Sequence, residues 1–327
     1  MQIYFDKENL LSFLSQRKDK RFIYCEETLI RHCHVFMNFS KEELIQETED
    51  NEIIKTWMKV CSDGFDTLPW TWNYSFPPRK IKTTTPNDFD KHQHSAVYLI
   101  TDECLCNLKN LNQYLVSNLG EEVDVLSQLW FDDKQYIVNV FNKLNEWSAL
   151  LPYQSPCSDI IVCDKFFLLE SNLLEYNLYT LLPQLSLSSK CSKINIVIFT
   201  LNEYKGKSCD FEKVIGTIKQ IIQKKTGAKP SVAIVTGSGN KIDEHDRTIF
   251  TNYKLYTSGD TFNYFDSQGR KITKGRYFHV FSLASKDNEN TAKGFLDDMQ
   301  KLYDSIKGAA PNNIYKENKS KSNYLQL

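Results

Sequence analysis

Three apolar runs in the second half of the chain constrain its fold most: SDIIVCDKFFLLE (158 to 170), KINIVIFT (193 to 200) and SVAIVTGSG (231 to 239). Unbroken runs rich in Val and Ile are what strands buried on both faces require, and such strands belong to parallel sheets covered by helices. Helical spacing fills the gaps between them. NLLEYNLYTLLPQL repeats its leucines and tyrosines at helical intervals, and CDFEKVIGTIKQIIQKKTGAKP sets Phe211, Val214, Ile218, Ile221 and Ile222 on one face before Gly227. TIFTNYKLYT and TFNYFD then alternate in the manner of antiparallel strands. The order β-α-β-α-β-β-β predicts an α/β sandwich with a mixed sheet and right-handed crossovers.

The first half reads as an α+β domain. QIYFDKENLLSFLSQ, KEELIQETEDNEIIKTWMKVC and EEVDVLSQLWFDDKQYIVNVFNKLNEWSALL carry helical spacing in part, whereas KRFIYCEETLI, HVFMNF and SAVYLITD read as strands. TLPWTWNYSFPPRKIKTTTPNDFDKHQH has no period and reads as a long connection. The segment Pro152 to Pro156 marks the domain boundary, so the expected organisation is an α+β domain over 1–152, an α/β domain over 153–307 and a polar, irregular tail over 308–327 in which Tyr324 and Leu325 can dock.

Composition excludes several classes. Lys and Arg total 40 against 41 Asp and Glu, so attraction to nucleic acid or membrane must come from a local patch. The nine cysteines are odd in number and several lie inside apolar runs, which points to reduced, buried thiols and a cytoplasmic location. No segment has the length and apolarity of a membrane span, and the first twenty residues lack the apolar core of a signal peptide. His32 and His34, and again His92 and His94, have ligand-like spacing, but no acidic partner of diagnostic spacing accompanies them. The pairs Glu26-Glu27, Glu42-Glu43 and Asp132-Asp133 have no third ligand, and VTGSGNK lacks the spacing of a phosphate loop. No metal or cofactor is assigned.

The stretch DEHDRTIFTNYKLYTSGDTFNYFD (243 to 266) carries the chemistry. His245 and Arg247 lie two residues apart, on one side of an extended chain, next to a parallel α/β core whose strand ends are a common ligand position. Imidazole beside guanidinium suits a phosphate, and the imidazole can also attack phosphorus. The basic set Arg270, Lys271, Lys274 and Arg276 lies on the following hairpin, with Lys254 nearby, while Tyr253, Tyr256, Phe262, Tyr264 and Phe265 offer rings for stacking, some of which must fill the core.

These residues resemble the phospholipase D superfamily motif H-x-K-x4-D-x6-G-S-x-N. His245 falls on the histidine, Arg247 on the lysine, Asn252 on the aspartate, Gly259 on the glycine, Asp260 on the serine and Phe262 on the final asparagine. The segment is also similar to the non-catalytic phospholipase D-like C-terminal domain of MIT-domain proteins, over roughly residues 155 to 305. The resemblance implies a phospholipase D-like α/β sandwich with degenerate chemistry. Asn252 lacks the carboxylate that orients imidazole, Asp260 adds a negative charge, and the superfamily's enzymes need two motifs where one is present. His279 is a candidate second imidazole, and a homodimer would bring two copies of His245 together. The expectation is therefore binding of a phosphate-bearing ligand, nucleic acid first, through His245, Arg247, Asn252, Lys254, Arg270, Lys271, Lys274 and Arg276, as a component of a bacterial antiviral defence system working with a protein partner or as a homodimer. The alternatives are a metal-independent phosphodiesterase or nuclease acting through His245, and a protein-interaction scaffold.

Overall fold

The computed structural model describes residues 1–37, 41–63, 94–99, 114–131, 134–187, 191–238, 242, 247–273, 275–316 and 320–327. They form two compact units: Met1–Tyr136 with Leu283–Glu289, and Ile137–Ser282 with Asn290–Leu327. The division therefore falls earlier than the proline-flanked segment at 152. The reason is local pairing, because β5 (Ile137–Asn139) hydrogen-bonds to β11 (Phe278–Ser282) of the second unit, and the rings of Trp147 and Phe278 lie 5.9 Å apart.

The first unit is built on a parallel sheet of β1 (Gln2–Phe5), β2 (His34–Met37), β3 (Val97–Leu99) and β4 (Leu115–Val116), in the order β2-β1-β3-β4 among the described residues. Parallel pairing throughout makes this unit α/β rather than α+β. The helix α1 (Lys7–Ser15) starts at Asp6, whose carboxylate caps the amide of Asn9 at 2.8 Å and buries Leu10, Phe13 and Leu14. KRFIYCEETLI is not a strand but the helix α2 (Phe22–His32), because Phe22, Cys25 and Leu29 recur at three- and four-residue spacing and are buried together. The helices α3 (Lys41–Asp50) and α4 (Glu52–Asp63) follow, and among the described residues the third stretch of helical spacing forms α5 (Glu122–Ser127) and two short 3-10 turns at Phe141–Lys143 and Trp147–Tyr153.

The second unit carries the mixed sheet. β6 (Asp159–Cys163), β7 (Lys193–Leu201) and β8 (Lys229–Gly237) run parallel and are almost wholly buried, as their apolar runs predict. β9 (Thr248–Thr251), β10 (Lys254–Ser258), β11 and β5 extend the sheet antiparallel on the β6 side. β12 (Ile314–Lys316) closes the β8 edge, giving the order β12-β8-β7-β6-β9-β10-β11-β5. Helix α6 (Leu178–Ser186) is shorter than its leucine pattern suggests. Helix α7 (Phe211–Thr226) begins at Asp210, which caps the Lys213 amide, ends in Lys224 and Lys225, and stops at Gly227 with φ +74. A last helix, α8, spans Lys286–Ala309.

Two expectations for this unit are corrected. DKFFLLE does not continue the first strand, because β6 stops at Cys163. There the buried carboxylate of Asp164 accepts the amides of Phe166 and Phe262, at 2.9 and 2.6 Å, and turns the chain. The tail is not irregular throughout. Beyond β12, Ser322 and Asn323 return to the amino end of β6, where Asn323 donates its backbone amide to Asp159 at 2.8 Å and its side-chain amide at 2.6 Å. Leu325 is buried and Tyr324 packs edge-on against Phe250, so both dock.

Five of the described cysteines, at 25, 33, 157, 163 and 191, are buried free thiols and Cys209 is half-buried. Burial pushes the Cys33 thiol up to about 12, which keeps it protonated and unreactive. No helix among the described residues is long and apolar enough to cross a membrane.

Candidate functional site

The hairpin of β9 and β10 sets the geometry. Cys163 pairs with Thr248 and Ile160 with Thr251, so the start of β9 lies at the carboxyl end of β6 and its finish at the amino end. Arg247 therefore stands where the parallel strands end, a position open α/β sheets use for ligands. Its carbonyl accepts the Ser258 amide, and its guanidinium Nη1 donates to the carbonyl of Gly259 at 3.1 Å. The guanidinium Nε is buried and has no hydrogen-bond partner among the described residues. A Cβ at Gly259 would meet the Tyr277 ring at 3.0 Å, so a side chain there needs that ring to give way. Behind Arg247, the fully buried Asp164 also accepts the Thr261 hydroxyl at 2.8 Å. Burial raises the Asp164 carboxyl above its usual range, while its hydrogen bonds and the nearby Arg247 charge act the other way. A cation so held, with one buried donor uncommitted, is suited to an anionic oxygen.

Asn252 does not join Arg247. It lies at the far end of β9, about five residues and so roughly 16 Å along an extended chain. Its carbonyl oxygen accepts the amides of Ser158 and Asp159, at 2.8 and 3.1 Å, and its nitrogen donates to the Ser158 hydroxyl. The asparagine at the motif's aspartate position thus fastens the β9–β10 turn to the start of β6. Asn252→Ala leaves two buried amides unpaired and is expected to cost about 2–4 kcal/mol in urea unfolding. An unchanged midpoint would contradict this structural role.

Lys254 is likewise removed from the phosphate set, for it is fully buried at the same far end. Burial pushes its ammonium down to about 7 from an ordinary 10.5. The unfolded chain then holds more protons between those values, so stability rises as pH rises from about 7 towards 10.5. Lys254→Met is expected to flatten that rise in urea midpoints measured at pH 7, 8.5 and 10, and an unaltered slope would refute it.

The hairpin basics separate. Arg270 is paired with Asp266 at 2.7 Å inside its own turn, and Lys271 donates to the Phe141 carbonyl at 2.8 Å with its ammonium 3.9 Å from that ring's centroid. Both serve the local fold. Arg276 is exposed, and His245 and Lys274 lie outside the described residues. His279 cannot complement Arg247, because it pairs with Thr257 and shares its face, stacked on Tyr277 at 5.0 Å. Arg247 aligns with Ser258, on the opposite face. Partial burial lowers the His279 pKa from its usual value. Tyr253, Tyr256, Phe262, Tyr264 and Phe265 are all buried and are core, not stacking platforms.

Phe166, Tyr204, Lys205, Lys207 and Asn263, which sequence reading passed over, line together with Asp260 a cleft of about 470 Å³ at the carboxyl ends of β6 and β7. The one local signal for its rim is Gly206 in YKGK, since glycine marks turns, while Lys205 before it masks the usual two-residue pattern.

No protein-family model matches this chain. No curated protein matches its sequence. Among the described residues no group of His, Cys, Asp and Glu is placed to hold a metal ion.

Proposed function

We propose that the second unit is a catalytically degenerate phospholipase D-like domain that binds a phosphate-bearing ligand, nucleic acid first, at the carboxyl ends of β6 and β7. The observation that carries this reading is Arg247: a guanidinium fixed on the Gly259 carbonyl, with a buried Nε lacking a partner among the described residues, at a strand-end position. The mixed sheet order, three parallel strands followed by an antiparallel hairpin bearing the motif, supports the phospholipase D-like assignment. Binding rather than cleavage is favoured because the motif's aspartate position is a buried structural asparagine and His279 faces away. Lys205 supplies exposed positive charge at the cleft, in place of Lys254, Arg270 and Lys271.

The test is a salt titration of single-stranded DNA and RNA binding by fluorescence anisotropy, with the products run on a gel in excess chelator. The expected result is affinity that falls steeply with salt and strands that stay intact. Absence of salt-dependent binding would sink the reading, and metal-independent cleavage abolished by His245→Ala would replace binding with phosphodiester hydrolysis.

A further inference from the structure

The cleft at the carboxyl ends of β6 and β7 has features that a phosphate site alone does not need. Two aromatic rings form one wall: Phe166 meets Tyr204 edge to face, with centroids 5.1 Å apart and planes at 66°. Ile272, 49% exposed, belongs to the same lining, and Tyr204 is 40% exposed, so large apolar surface stands open in a concave place. Asn263, 6% exposed, also lines the cleft. Its amide nitrogen donates to the carbonyls of Phe166 and Phe167 at 3.1 and 3.4 Å, which fixes the orientation of the group. Its carbonyl oxygen is buried and has no hydrogen-bond partner among the described residues. A buried acceptor without a donor is costly, and a ligand N–H relieves it.

The rim adds a strained lysine. Tyr204 and Lys207 exchange two backbone hydrogen bonds, at 3.0 and 2.9 Å, around a two-residue turn in which Lys205 has φ +51 and Gly206 φ +72. Both φ values being positive, the first position normally goes to Asn, Asp or Gly. A lysine there is held in the left-handed region at a cost. Its ammonium lies 5.1 Å from the Tyr204 ring centroid, whereas Lys207 is paired with Glu170 at 3.2 Å. Lys205 is therefore the principal cation beside the exposed ring.

We propose that this cleft takes a nucleobase: a planar ring against Tyr204 and Phe166, an N–H of the base to Asn263 Oδ1, and the attached phosphate to Lys205. The proposal rests on the phosphate-binding reading above and specifies what accompanies the phosphate. A nucleobase offers a flat apolar face and N–H donors on one rigid group, and the cleft presents an aromatic wall and an acceptor of fixed orientation. A free mononucleotide and an unpaired base within a strand share this chemistry.

The experiment compares three probes on the full chain: a single-stranded oligonucleotide, an abasic strand of the same length, and the four ribonucleoside monophosphates as competitors. The strand with bases is expected to bind about tenfold more tightly than the abasic strand. Tyr204→Ala is expected to erase that difference and Tyr204→Phe to keep it. Lys205→Asn is expected to weaken binding of both strands while raising Tm, since asparagine tolerates the left-handed conformation. Competition by monophosphates assigns the site to free nucleotides, and its absence to a base within a strand. Equal binding of the two strands, with dependence on Arg247 intact, would overturn the cleft proposal alone. Binding of neither strand would overturn the phosphate reading and the cleft proposal together.

Discussion

Removal of residues 320 to 327 is expected to destabilise the second unit by about 3–5 kcal/mol, the range for stripping partners from a buried charge. Asp159 is fully buried at the amino end of β6. Its carboxylate accepts from Ser158, Asn195, Ser322 and twice from Asn323. Burial raises its pKa and the hydrogen bonds to Asn323 and Ser158 act against that rise. Three of the five donors belong to the tail, and the same segment ties Ser320 to the Val232 carbonyl and Lys321 to the Ser231 hydroxyl. Its loss also uncovers the site of Leu325. Urea unfolding of the truncated chain measures the effect. Should the truncation fail to fold, Asn323→Ala removes one donor and is expected to cost about 1–3 kcal/mol. A truncated chain with the wild-type midpoint would mean that the tail does not support Asp159.

The second large effect concerns Arg247. Arg247→Met is expected to weaken single-stranded nucleic-acid binding about a hundredfold and to reduce the salt slope by about one, the change expected for a lost phosphate contact. Arg247→Lys keeps the charge but not the fork geometry and is expected to recover about a tenth of the affinity. Arg270→Ala serves as the contrast, because its guanidinium is paired with Asp266 within its own exposed turn. It is expected to change affinity less than about threefold. Stability is measured in parallel, since the Arg247 charge lies near buried Asp164.

How far the sequence foretells this molecule depends on what each side of an element touches. β6, β7 and β8 are legible because burial on both faces leaves unbroken apolar runs. DKFFLLE continues the apolar run but not the strand, which ends at Cys163, because Asp164 finds donors far along the chain, at Thr261 and Phe262. α2 hides behind the β-rich start of FIYCEETLI, although Phe22, Cys25 and Leu29 are spaced for a helix. In the candidate site, the alternating run and the turn at Gly259 make a hairpin readable, and in the fold Arg247 donates to the Gly259 carbonyl. The burial of Asn252 and Lys254 is not readable, because alternation along one strand cannot show that both faces of the sheet are covered at that end. The cleft around Tyr204 is assembled from three separate segments, 166–173, 204–207 and 260–273, beyond the reach of local pattern.

The most direct test of the central claim is the salt-dependent affinity of the wild-type chain and of Arg247→Met for one single-stranded oligonucleotide, measured by anisotropy in the same buffers. The expected result is tight, salt-sensitive binding by the wild type and about a hundredfold loss with a shallower salt slope in the variant. Equal affinity and equal slope for the two proteins would contradict the assignment of Arg247 as the phosphate-binding cation.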